Sequence, residues 1–278
     1  MPHYLVSLTL LALIHVTETK SSPRIASLNP GLTDIIYSLG LTKSVVGISD
    51  YCVAPSDTDH SRIGTELTPR VEAILRLQPT HILSGQSAFR KSIPNHQSYT
   101  QVVLPLTTTE DLRSAIKQLG DLFQRREQAS SILKKVDEVL SPQQQRYHRV
   151  LVAAGVSQHE TPLLFMLNPF SLHGDLLNSA GFNLIEPQTR DKAWVLGPEA
   201  LVRLTPDLII VLDPSASRAT TKDLYRRALS PLDKARDGSR APPVIYLKDA
   251  NLSRMGPSSL RLGDRAHEAL IRSQEEQP

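Results

Sequence analysis

The sequence predicts an α/β protein of two lobes, each a small, mainly parallel sheet with flanking helices, joined by one long rigid α-helix. Three observations carry that prediction. Short apolar strands alternate with amphipathic helices along most of the 278 residues, the pattern of parallel sheets covered by helices. The stretch "VEAILRLQPTHIL" at 71–83 returns as "PEALVRLTPDLII" at 198–210, an offset of 127. That offset aligns Glu72 with Glu199, Ala73 with Ala200, Arg76 with Arg203, Leu77 with Leu204, Pro79 with Pro206 and Ile82 with Ile209. Between the copies, "TEDLRSAIKQLGDLF" (109–123) reads as an amphipathic helix and a longer helix follows from about Glu127 to Tyr147.

In chain order, "YLVSLTLLALIHV" (4–16) is too short an apolar run to span a bilayer and fits the core of a secretory signal peptide. A leader over 1–20 makes the protein exported and periplasmic. "RIASL" (24–28) is a strand, "NPG" breaks it, and "LTDIIYSLG" is a helix stopped by Gly40. "SVVGIS" (44–49) is a second strand, followed by the polar loop "DYCVAPSDTDHSRIG". A short helix from 70 to 77 then turns at Gln78-Pro79 into "THILSG", because proline cannot continue a helix. "QVVLPL" (101–106) completes an N-terminal lobe over 21–124.

The connecting helix is expected over 125–147. Ala129, Ile132, Leu133, Val136 and Leu140 recur at helical spacing from Glu127 onward. Some twenty residues would span roughly 30 Å, with Pro142 as a point where the helix kinks or stops. The C-terminal lobe, 148–278, resumes with "RVLVAAG" (149–155), "PLLFML" (162–167), the helix "GDLLNSAG" (174–181), the second copy, "PVIYL" (243–247) and a last helix from 258 to 272. "DIIYSLG" (34–40) and "DLLNSAG" (175–181) share an Asp start, an apolar stripe and a Gly stop.

The composition is globular, with 40% hydrophobic and 21% charged residues. The net charge of +3 is scattered in doublets such as Arg125-Arg126 and Arg226-Arg227. A nucleic-acid binder gathers its charge on one face or arm, so no nucleic-acid partner is expected. Cys52 is the only cysteine, which precludes an intramolecular disulfide. It reads as a small buried residue or a metal-responsive thiol.

Two facing lobes make a cleft, and ligands favour such interfaces and the carboxyl ends of parallel strands. The loops there are "NPGLT", "SDYC", "SGQSAF" (84–89), "NPFSLHG" (168–174) and "DPSASR" (213–218). They hold no G-x-S-x-G elbow, phosphate loop, dinucleotide fingerprint or H-E-x-x-H. The nine histidines are dispersed, without metal-ligand spacing. Neither catalysis nor a resident metal or cofactor is expected; the cleft binds and releases.

The stretches "RIASLNPGLTDIIYSLG", "VVGISDYCVAP", "VEAILRLQPTHIL", "NPFSLHGDLLNSAG", "AWVLGPEALVRLTPDLIIV" and "MGPSSLRLGDRAHEAL" resemble, in order, the periplasmic substrate-binding proteins of ABC importers for cobalamin, haem and iron-siderophores. The cobalamin branch is the nearest. The resemblance implies two α/β lobes linked by a rigid helix, and a monomer serving an ABC permease dimer. It also implies aromatic contacts to the ligand at Tyr51, near Phe170 and at Trp194, with Asn29 beside them. Rigid rings pack on a broad macrocycle at small entropic cost. From the residues alone, Phe170 reads equally as core and Tyr51 as a loop residue anchored by its hydroxyl, whereas Trp194 lies outside any apolar periodicity.

In the loop "SGQSAF", where the cobalamin branch carries a bulky aromatic, only Phe89 is available. That departure leaves haem, a corrinoid precursor or an iron chelate open as ligand. Tyr51 with a histidine such as His60 would be the axial pair for haem iron. The resemblance further implies docking to the permease through Glu72 and Glu199, although a first-turn carboxylate also satisfies the helix dipole without any partner. A different class, an exported sensor or scaffold binding a protein, would show an apolar surface patch in place of a lined cleft.

Overall fold

The computed structural model describes residues 22–86, 93, 96–187, 194–235, 241–252 and 254–275. The expected leader and Phe89 lie outside them. In the N-terminal lobe, β1 (Ile25–Ser27), β2 (Val45–Ile48), β3 (Ser61–Arg62), β4 (His81–Ser84) and β5 (Thr100–Val103) form one sheet. Its order is β3-β2-β1-β4-β5 and every pairing is parallel. Helices α1 (Pro30–Ser38) and α2 (Val71–Arg76) belong to this lobe, and α3 (Thr109–Leu122) and α4 (Arg126–Val139) follow it.

The C-terminal lobe contains β6 (Tyr147–Val156), β7 (Leu164–Met166), α5 (Leu172–Ser179), β8 (Phe182–Leu184), β9 (Val195–Leu196), α6 (Pro198–Leu204) and β10 (Leu208–Leu212). It ends with α7 (Ala219–Leu229), α8 (Pro231–Ala235), β11 (Val244–Leu247) and α9 (Leu262–Glu275). The sheet order is β11-β10-β6-β7-β9, with β8 against the first half of β6. Here β10, β11 and β8 pair in parallel, while β7 runs antiparallel to both β6 and β9.

Alternation along the strands explains the core. Ile25 faces an inner cluster and Ala26 an outer one. In β10, Leu208, Ile210 and Leu212 face inward while Ile209 and Val211 face outward. Strands buried on both faces read as unbroken apolar runs, as "LIIVL" does. The inner cluster is continuous across the lobes: Ile35 and Leu119 from the first half share it with Leu176, Phe182 and Ala266 from the second. The lobes are therefore packed against each other through helices.

The duplication is structural. Arg24 donates to the carbonyls of Leu77 and Gln78 at the end of α2, and Arg149 donates to those of Leu204 and Thr205 at the end of α6. Gln78 and Thr205 both take left-handed backbone, at φ 46° and 40°. The Arg24 carbonyl accepts from Thr80 N, and the Arg149 carbonyl accepts from Asp207 N; Thr80 and Asp207 keep the 127-residue offset, and the two arginines are 125 apart.

The connecting helix is shorter than expected. It is α4, 14 residues ending at Val139, or roughly 21 Å. Ser141-Pro142 follows it, and the residue before a proline is forced out of helical geometry. The chain turns back there, with Gln143 N bonded to Ser179 O, and Tyr147 already belongs to β6.

Candidate ligand-binding cleft

The parallel strands deliver their carboxyl-end loops to the gap between the lobes. A cavity of about 480 Å³ opens there. Asn29, Pro30, Tyr51, Val53 and Leu106 line it from one lobe, and Pro214, Ala250, Arg254 and Met255 from the other. A larger hollow of about 580 Å³ lies beside Lys222, Arg226 and Tyr246. Its lining comes from one lobe only, on the side away from the strand exits, so the shared cavity is the better candidate.

On the N-lobe wall, Asn29 is first a helix cap. Its Oδ1 accepts from Gly31 N at 2.9 Å and Leu32 N at 3.1 Å, satisfying donors that the start of α1 leaves unpaired. Its Nδ2 donates to Glu66 at 3.3 Å. The Glu66 carboxylate also accepts from Ser84 Oγ at 2.7 Å, Gln86 N at 3.1 Å and Gly85 N. One carboxylate thus ties together the exits of β1 and β4. Nothing in the sequence pattern singled out Glu66.

Tyr51 presents its ring to the gap and is 74% exposed. Its loop is held from below: Arg70 grips Asp50 at 2.7 and 2.8 Å, and Arg62 donates to the carbonyls of Ser49 at 2.9 Å and Cys52 at 2.7 Å. Cys52 is buried, its Sγ 3.1 Å from Thr33 Oγ1 and 3.3 Å from Ser49 Oγ, which matches the small-buried-residue reading. Behind this loop, burial pushes the Tyr37 phenol up to about 12, against the opposing pull of Arg62 and Arg254.

Arg254 forms the opposite wall and is 8% exposed. Its Nη2 donates to Asn251 Oδ1, and its buried Nε has no hydrogen-bond partner. It makes no ion pair among the described residues. A buried donor left unmade costs about 1–3 kcal/mol, more on a charged group. A guanidinium so placed beside a cavity is a seat for a carboxylate. Sequence reasoning passed over Arg254, although the exit of β11 was a place to look by the rule of strand ends.

The three expected aromatics are not brought together. Tyr51 lines the cavity. Phe170 is half-buried in the turn entering α5, its N bonded to Asn168 Oδ1 at 2.9 Å, and it is not in the lining. Trp194 packs against the outer core of the C-terminal lobe, where its carbonyl accepts from Met166 N at 2.8 Å. The edge strand β9 that it precedes fixes it there. His60, paired with Tyr51 in the haem expectation, stacks on Tyr37 with ring centroids 5.8 Å apart, and burial lowers its pKa. Glu72 and Glu199 stand exposed in the first turns of α2 and α6, with Arg203 3.6 Å from Glu199.

Comparison with known proteins places this architecture. The high-affinity heme uptake system protein IsdE of Staphylococcus aureus (strain MRSA252) is 27% identical over 174 residues, 59% of this chain and 58% of that protein. The ABC transporter substrate-binding lipoprotein YvrC of Bacillus subtilis (strain 168) is 24% identical over 222 residues, 74% of this chain and 69% of that one. This chain thus spans less than two thirds of the length of IsdE. The periplasmic heme binding protein HutB of Vibrio cholerae superposes with a TM-score of 0.70 at 18% identity, covering 90% of this chain and 99% of that one. The periplasmic vitamin B12 binding protein BtuF of Vibrio cholerae gives 0.66 at 17% identity, covering 91% and 98%. The profile of the periplasmic binding protein family matches residues 25–226, and with two α/β lobes closing on a shared cavity the chain belongs to that family.

Proposed function

We propose that this protein is an extracytoplasmic solute receptor that holds a carboxylate-bearing metal chelate of the tetrapyrrole class between its lobes and passes it to a dimeric ABC permease. One observation carries the reading: Tyr51, with its exposed ring, and Arg254, buried and without an ion pair among the described residues, line one cavity from opposite lobes. An aromatic plane suits the face of a macrocycle, and a desolvated guanidinium suits a carboxylate on its edge. The haem-binding names of HutB and IsdE support the same class. The function is binding and release, without chemistry on the ligand.

Cobalamin is the second reading, supported by the resemblance at Tyr51 and the fold shared with BtuF. It is less favoured because Phe170 and Trp194, the aromatics expected to enclose a corrin, do not line the cavity. Delivery is assigned to Glu72 and Glu199. Each glutamate stands exposed in the first turn of a short helix that precedes a parallel strand, at matching positions of the two lobes, which supports a paired docking role. An absorbance titration of the purified protein with haemin and with cyanocobalamin tests the ligand. A saturable Soret shift with haemin is expected; a response to cyanocobalamin alone selects the second reading, and no response to either overturns both.

A further inference from the structure

We infer that Asp34 and Asp175 form a reciprocal pair of inter-lobe latches that position the two walls of the cleft. The two residues open the matching "DIIYSLG" and "DLLNSAG" segments, and neither is explained by helix formation alone. Asp34, on α1 of the first lobe, is 5% exposed. It accepts from Ser258 N at 2.7 Å on Oδ2 and from Ser258 Oγ at 2.6 Å on Oδ1. Ser258 belongs to the turn that leads from β11 into α9 in the second lobe. Asp175, on α5 of the second lobe, accepts from Thr109 Oγ1 at 2.5 Å. Thr109 opens α3, the helix that follows β5, the last strand of the first lobe.

The geometry is a crossed exchange. Each lobe sends one carboxylate from an early helix, and the other lobe answers with a hydroxyl at the start of its closing segment. Neither bond could form within one lobe. The backbone at both crossings is also drawn close. A Cβ on Gly256 would lie 2.6 Å from Asp34 Oδ2, and one on Gly31 would lie 2.5 Å from Met255 O. At the other crossing, Leu172 N bonds Thr107 O at 3.0 Å. Gly31 and Met255 line the cavity, and Arg254 precedes Met255. The Asp34 latch therefore fixes the distance between the Asn29–Tyr51 wall and the Arg254 wall.

The consequence for ligand capture rests on the proposed function; the latch itself does not. The two are separated by measuring lobe separation without ligand. Nitroxide labels on R76C and R203C, exposed positions at the matching ends of α2 and α6, in a C52S background, report one distance by pulsed dipolar resonance. A single narrow distribution is expected for the parent. D34A and D175A should broaden it and lengthen its mean by several ångströms. The conservative changes should differ from each other. D175N keeps an oxygen for Thr109 and should stay narrow, whereas D34N offers Ser258 one acceptor in place of two and should broaden. If D34A fails to fold, S258A and T109V remove the donors with the carboxylates intact and should each broaden the distribution partly. Unchanged distributions in the folded variants overturn the latch. Haemin release should quicken roughly 10-fold in D34N. Should the parent bind no haemin, the functional reading fails while the distance test still decides the latch.

Discussion

The two lobes keep the same helix-turn-strand unit, with the same arginine clamp at its end, yet complete it into different sheets. The first lobe is parallel throughout, so all its strand exits point at the cleft. They are bound to one another by Glu66, Asn29, Asp50 and Arg70. The second lobe gives part of its sheet to the antiparallel strands β7 and β9, and Trp194 goes with them into its outer core. What it turns to the cleft is Pro214 after β10 and the segment after β11 that carries a buried charge, Arg254. The duplicated frame is conserved between the halves while the binding walls have diverged. One wall is a cross-linked polar scaffold presenting an aromatic ring, and the other carries a buried cation that makes no ion pair among the described residues.

The sharpest way to break this comparison is at the paired glutamates, where the halves remain alike. E72R with E199R should reduce permease-dependent uptake by about 100-fold or more, because like charges would meet where opposite ones guided docking. Ligand affinity and Tm should stay near the parent values, as both side chains are exposed. Uptake assays beside a thermal melt check this, and normal uptake would reduce both glutamates to helix-dipole residues.

At the walls the halves should respond differently. R254Q should weaken haemin binding by roughly 10–100-fold, while Tm holds or rises because a buried charge with no ion pair among the described residues has been removed. Calorimetry of binding and of unfolding reads both. Y51A should cost less, up to about 10-fold in affinity, with Tm unchanged. A Tm loss for Y51A larger than for R254Q would reverse the assignment of scaffold and cation.

The smallest effect concerns acid. Burial lowers the pKa of His60 and His81 in one lobe and of His173 and His267 in the other from the ordinary 6.5. Groups held neutral in this way contribute stability above the unfolded pKa and lose it as the pH falls. Tm should be flat above about pH 7 and decline below 6.5. His173, 3% exposed, contributes at most roughly 1.4 kcal/mol per pH unit. Melts of H173Q across that range should show a shallower decline, and an unchanged slope would remove His173 from the account.

Much of the frame was legible in the sequence because it rests on periodicity and punctuation. The apolar runs, Pro79 and Pro206, and the stops at Gly40 and Gly181 locate most elements within two or three residues. Strand direction was not legible: "LLFM" reads alike in parallel and antiparallel pairing, and β7 proved antiparallel. The length of α4 was overestimated because Leu140 extends the apolar stripe beyond the point where Pro142 stops the helix. Of the site, Tyr51 and Asn29 were legible as loop residues at strand ends. Arg254 and Glu66 were not, since their roles arise from burial and from partners distant in sequence.

The crystal structure of the haemin-loaded protein tests the central claim most directly. The account predicts the macrocycle seated between the lobes, its face against Tyr51 and a propionate on the Arg254 guanidinium, with the Asp34–Ser258 bonds intact. Haemin bound instead in the hollow beside Lys222 and Tyr246, or between the lobes with Arg254 turned away from it, would contradict it.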